Sequence, residues 1–167
     1  MTTHYVNPAP GTTSQITLKL DCGIALGTLT LGGSPLTVPA LQNITINAAN
    51  DVFTWSQLDS TAKKQVATTS TNSVSMNLVV DPDTFFGTTL ASVQSDTVAA
   101  QGLLGLSRNK TLVTFSLKFE EGGATDKYIK GQGYITGLAP TVSAESPVWV
   151  SPITITVTGE YTASASE

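Results

Sequence analysis

The side chains able to move protons, attack a substrate or hold a metal are few here and scattered. His4 is the single histidine and Cys22 the single cysteine. A Ser-His or Cys-His nucleophile needs its partners to converge, and one histidine in a proline-containing opening segment offers no such pair. Asp81 and Asp83 could share a calcium ion, but that ion takes six to eight oxygens. A D-P-D run ahead of apolar residues at helical spacing is the pattern of a helix start. Glu120-Glu121 before two glycines reads as a solvated turn. Asp51 and Asp59 have the residue types of a glycosidase dyad, yet nothing in the sequence aims one at the other. The glycines follow no phosphate-cradling spacing. The expectation is a protein that is not an enzyme, with no metal site and no cofactor.

Binding chemistry is also sparse. Trp55 and Trp149 could stack on sugar rings, as in a carbohydrate- or surface-binding β-sandwich module, but core or interface anchoring accounts for them better. Cations cluster only at Lys63-Lys64 and at Arg108-Asn109-Lys110. With a formal charge of −4, the chain lacks the many cationic contacts that a grip on DNA or RNA requires. Charged residues make up 12% of the sequence, against about 25% in ordinary globular chains. The 27 threonines and 16 serines supply hydroxyls in their place. Threonine is β-branched and suits a pleated surface, and a surface poor in charge resists association weakly.

These groups must be positioned mainly by strands. "QITLKLD" alternates Ile16, Leu18 and Leu20 with polar residues, as a half-buried strand does. "IALGTLTLGG" reads as a second strand, Pro39 confines its neighbourhood to an edge or loop, and "NITIN" resumes the alternation. A strand around Phe53 and Trp55 then gives way to a polar stretch, 59–72, expected to be a long mobile loop. "SVSMNLVVD" places Val74, Met76, Leu78 and Val80 on one side. Asp81 as N-cap and Pro82 at the first position open a short helix with Phe86, Leu90 and Val93 on one face. "VAAQGLLGLSRNK" is expected to be irregular because of Gly102 and Gly105. Residues 112–119 and 127–138 read as a hairpin, with Gly131 and Gly133 marking a bulge or close backbone approach. The last long strand carries "SPITITVTGEY". Ile153, Ile155 and Val157 form its greasy face, and Thr154, Thr156 and Thr158 form a face of hydroxyls alone. The chain is expected to be mainly β: a β-sandwich or barrel with one short flanking α-helix. It divides into a flexible arm (1–14, without the basic and apolar regions of a signal peptide), a single domain (15–162) and a C-terminal tail (163–167). No stretch approaches the roughly 20 apolar residues of a membrane span.

The order of these elements resembles the major tail tube proteins of long-tailed, siphovirus-like bacteriophages. "SVSMNLVVDPD" leads into the helix "DTFFGTTLASVQ". "LVTFSLKFE", a turn, a strand ending "GYITGL", a polar loop and "PITITVTGEY" follow. The likeness is clearest from Asp51 to Thr162, and upstream "DVFTWSQLDSTAKKQVATTS" is similar to the family's polar loop. The resemblance implies a fold related to type VI secretion tube proteins. It implies a homo-oligomer, usually of hexameric rings stacked into a hollow tube in a virion tail, assembled in the host cytoplasm with other tail proteins. DNA would pass through without sticking during ejection. A capsid decoration or other virion ring protein is the neighbouring alternative. On this reading Thr154, Thr156 and Thr158 line a lumen or face a neighbouring subunit. Asp59, Lys63, Lys64 and Gln65 belong to an inter-ring loop, and Asp83, Phe86, Leu90 and Val93 place the helix at a subunit contact. At −4 per chain, DNA near such a wall would be repelled within a Debye length of roughly 8 Å.

Overall fold

A computed structural model describes residues 16–38, 41–58, 62–89, 97–120, 126–142, 144 and 148–167. The opening arm with His4, Pro39, Asp59, and the helix positions Leu90 and Val93 lie outside the described residues. Eight strands and two helices follow in the order β1 (Ile16–Cys22), β2 (Leu36–Thr37), β3 (Leu41–Ser56), β4 (Lys63–Val79), α1 (Pro82–Phe86), α2 (Val98–Arg108), β5 (Val113–Phe119), β6 (Lys127–Leu138), β7 (Val150–Val157) and β8 (Thr162–Ser164). The strands make one antiparallel sheet in the order β2-β1-β5-β6-β7-β4-β3, with β8 beside β6. The mainly β expectation holds, with two helices where one was expected.

Strict alternation builds the core. Leu18 and Leu20 of β1, Val74, Met76 and Leu78 of β4, Phe115 and Leu117 of β5, and Ile153 and Ile155 of β7 all turn inward and are buried. The register confirms a shared face: Leu20 lies opposite Phe115, and Val74 opposite Ile155. Val98, Leu103 and Leu106 of α2 complete the same core. Cys22, the last residue of β1, is buried. The 112–119 and 127–138 hairpin forms as β5 and β6. Gly131 and Gly133 mark close approach: a Cβ on Gly131 would sit 2.7 Å from Phe115 Cζ, and one on Gly133 would collide with the Thr156 carbonyl oxygen. The register shift in β6 falls later, between Ile135 and Gly137.

Four expectations need correcting. Residues 63–72 of the expected 59–72 loop are strand, because β4 begins at Lys63 and pairs with β3 as far as Ser56 opposite Lys63. "IALGTLTLGG" is not a strand. Gln132, buried on β6, donates through Nε2 to the carbonyls of Ala25 and Thr28 at 3.0 Å each, and Gly27 N–H donates to its Oε1. One amide side chain thus supplies the partners a neighbouring strand would have given, while Asp21 Oδ2 accepts from Gly32 N–H. "VAAQGLLGLSR" is helical, interrupted at Gly102, whose φ of 64° breaks the helical path. Gly102 meets Gly87, itself at φ 70°, backbone to backbone, so a Cβ on either would collide with the other. This contact joins α1 to α2 and ends α1 after Phe86. The residues expected as a tail begin with β8, whose Ala163 pairs with Ile129.

Replacing Gly133 with Ala should destabilise the fold by about 1–3 kcal/mol, the cost of overpacking against backbone that cannot yield. Gly33→Ala, with open space around it, should change stability by less than about 0.5 kcal/mol. Urea unfolding midpoints of the two variants check both.

Candidate assembly surfaces

β7 presents its two faces as the sequence suggested. Ile153, Ile155 and Val157 are buried, whereas Thr156 and Thr158 are exposed and Thr154 is half-buried. The neighbouring strands extend this outer face. Ser73 and Ser75 of β4 lie opposite Thr156 and Thr154, with Asn77 opposite Pro152. Asn43, Thr45 and Asn47 of β3 lie opposite Asn77, Ser75 and Ser73 in turn. On the other side Thr136 of β6 shares a hydroxyl–hydroxyl hydrogen bond of 2.8 Å with Thr156. Four adjacent strands therefore present hydroxyls and amides at these positions, with no charged side chain among them.

The second surface is a ribbon. β4 pairs with β7 only from Ser73 to Val79, so among the described residues β3 is the only strand that pairs with 63–72. At about 3.3 Å per residue this two-stranded arm extends roughly 30 Å. Residues 47–56 and 63–71 are exposed throughout. Phe53 and Trp55 sit on one face of the arm and stack at 5.9 Å between centroids, 59% and 37% exposed. Val66 and Lys64 lie opposite them and share that face. Lys63 and Gln65 lie on the other face. Trp55 is therefore not a core residue.

The root of the arm is clasped by the segment after β7. The Tyr161 hydroxyl donates to the Ser73 carbonyl at 2.7 Å and reaches the Asn47 carbonyl at 3.1 Å. Asn72, buried, donates through Nδ2 to the Gly159 carbonyl at 3.0 Å. The Tyr161 ring meets Phe115 edge to face at 6.3 Å, so the clasp is anchored in the core. Burial raises the Tyr161 phenol above the ordinary tyrosine value.

The third surface surrounds α1. Asp81 caps the helix as expected, accepting from Thr84 N–H at 2.9 Å. Phe85 is buried and Phe86 packs edge to face on it. Val80 N–H donates to the Trp149 carbonyl at 2.8 Å. Val80, Pro82, Phe86, Val148 and Trp149 line an open, mostly apolar groove of about 380 Å³. Trp149 is 47% exposed. Asp83 is exposed on the adjoining turn. The two tryptophans thus stand at opposite ends of the molecule and form no joint stacking platform.

Finally, β3 ends the sheet with no strand on its outer side among the described residues. At the other end the short β2 pairs with β1 at Lys19 and Leu20, and Val38 N–H donates to the Leu18 carbonyl. No group of three His, Cys, Asp or Glu residues able to hold a metal occurs among the described residues. Nor is any helix there long and apolar enough to cross a membrane.

This architecture is shared with tail and tube proteins. A chain from the tail of an empty gene transfer agent particle, of C6 symmetry, superposes with a TM-score of 0.60 at 14% identity, over 93% of this chain and 99% of that one. A chain of the SPP1 tail tube gives 0.61 at 12% identity, over 89% and 76%. A chain from the sheath/tube terminator of an extracellular contractile injection system gives 0.55 at 13%, over 93% and 97%. No family model and no curated protein matches the sequence.

The clasp has a pH signature. A phenol whose folded-state pKa is raised contributes stability that is fully present below the unfolded value of about 10 and is lost as pH rises past it. Tyr161→Phe should cost about 1 kcal/mol at neutral pH through the lost hydrogen bonds. It should also flatten the fall in stability above about pH 10. Denaturant midpoints at pH 8 and pH 10.5 for both proteins measure the difference.

Proposed function

We propose that this chain is a structural tail protein that assembles with copies of itself into rings, and that the rings stack into a hollow tube passing DNA. The observation that carries the reading is an unfinished sheet. Among the described residues β3 has no strand on its outer side, β1 is covered only in part, and a ribbon with exposed aromatics leaves the body, in a fold shared nearly end to end with tail and tube chains. Exposed sheet edges are a hazard for a lone molecule. A ring removes it, since the β3 edge of one copy can meet the β1 edge of the next. Hexameric rings, other tail proteins as partners, and a place in the virion tail after assembly in the host cytoplasm belong to the same proposal.

Thr154, Thr156 and Thr158 fit the lumen wall, with the serines, threonines and asparagines beside them. Such a wall hydrates well and offers phosphate no cation. The repulsion anticipated from net charge has a different origin than this face: Asp51 stands on the ribbon, Asp81 and Asp83 on α1, and Asp21 is buried. The wall passes a polyanion by being neutral. Lys63, Lys64 and Gln65 of the ribbon and Asp83 and Phe86 of α1 are assigned to contacts between copies.

Electron microscopy of the concentrated protein should show tubes of uniform width; isolated particles at every concentration would sink the proposal. Thr154→Lys with Thr156→Lys should leave the thermal midpoint within a few degrees of wild type. Tubes of the double variant should retain double-stranded DNA at low salt and release it as salt rises. Wild-type tubes should retain none.

A further inference from the structure

We propose that the ribbon of one copy seats Trp55 in the apolar groove beside α1 of another copy, with Lys64 facing Asp83 across the rim. The inference rests on the tube reading and names the contact that joins one ring to the next.

The geometry begins with β4. Its first residue, Lys63, stands at the far end of the ribbon, and its last, Val79, leads directly into Val80 of the groove. The two surfaces lie at opposite ends of one strand, roughly 50 Å apart along it, so the ribbon cannot fill the groove of its own chain. Two different, complementary patches at opposite ends of a molecule make a head-to-tail contact. Such a contact repeats without limit unless a rotation closes it, and axial stacking has that form.

The chemistry matches at both ends. The ribbon offers Phe53 and Trp55 as a stacked pair beside Val66, an aromatic anchor of the kind that dominates protein interfaces. The groove offers Pro82, Phe86, Val148 and Trp149 around an open volume of about 380 Å³, ample for one indole. Charge is complementary as well. Lys64 shares the face and cross-strand row of Trp55, while Asp81 and Asp83 flank Pro82 at the groove and are exposed. A two-stranded arm is marginal by itself in water, and docking along a neighbour supplies the missing packing.

The test uses the full chain. Trp55→Ser and Val148→Glu, both at exposed positions, should each leave the monomer's melting curve in place. Each should raise the protein concentration needed for tube elongation by about thirtyfold or more, the loss expected of an interface aromatic. Lys64→Glu alone and Asp83→Lys alone should each impair elongation several-fold, and the two together should restore it, because the swapped charges meet between copies. A mixture of Trp55→Cys chains and Val148→Cys chains should form a disulfide-linked dimer under mild oxidation, whereas either alone should not. If wild-type protein forms tubes and the mixed cysteines stay unlinked, or the charge swap fails to restore elongation, the docking is wrong and the tube reading survives. If wild-type protein never forms tubes, both fall.

Discussion

A strand inside a sheet is held from two sides, whereas a strand in a ribbon is held from one. β4 passes from the second condition to the first along its own length. Between Ser73 and Val79 it lies between β3 and β7, and Val74, Met76 and Leu78 are buried. From Lys63 to Thr71 it has β3 alone and every residue is exposed. The change comes at Asn72 and Ser73, where Asn72 and Tyr161 hold the side chain and carbonyl groups of the junction. The hydrophobic core thus ends where the ribbon begins, and among the described residues no third strand packs beside it.

The same alternation that fills the core dictates the opposite face. Each inward residue on β3, β4 and β7 leaves an outward neighbour, and at the paired positions from Ser73 to Asn77 those neighbours are threonine, serine or asparagine, with Pro152 opposite Asn77. Polar surfaces usually mix lysine with glutamate. Here the described carboxylates and amines stand elsewhere: on the ribbon, at the helices, on β1 and the C-terminal segment, where Lys19 bonds Glu167 at 2.6 Å, and on β5 and β6, where Lys118 bonds Asp126 at 2.9 Å. That hydrogen bond, with burial opposing it, raises the Lys118 pKa. Segregation of charge by region, not only its scarcity, sets the character of the wide central face.

Sequence periodicity was readable in the strands that turn apolar side chains into the core. β1, the body half of β4, β5, β6 and β7 all carry it, and the cap at Asp81 announced α1. The β3 half of the ribbon was read as a strand around Phe53 and Trp55, but its β4 half was missed because it has no buried side: "KKQVATTSTN" shows β-branched residues but no apolar alternation, so it resembles a loop. α2 was missed for two reasons. Gly102 resets the helical register midway, and its buried face includes Gln101, whose Oε1 accepts from Asn109 Nδ2 and Thr111 Oγ1. The 24–33 excursion carries alternating apolar residues, yet its backbone partners come from side chains of Gln132 and Asp21, distant in sequence. The candidate contact residues Lys63, Lys64, Gln65, Asp83 and Phe86 were chosen from the sequence by type and place, and they lie on the ribbon and on α1. The groove formed with Val148 and Trp149 needed three dimensions, since β7 brings that segment beside α1 across the sheet.

The hydroxyl and amide groups along Thr45, Ser75 and Thr154 have no proton to gain or lose between strong acid and strong base. A face built from them carries the same charge in an acidified medium as in a neutral one. It also offers magnesium or calcium no carboxylate oxygen, the ligand that brings negative charge to their sites. Whatever solution bathes that surface, its electrical character stays constant, a property that a carboxylate-lined surface of equal polarity would not have.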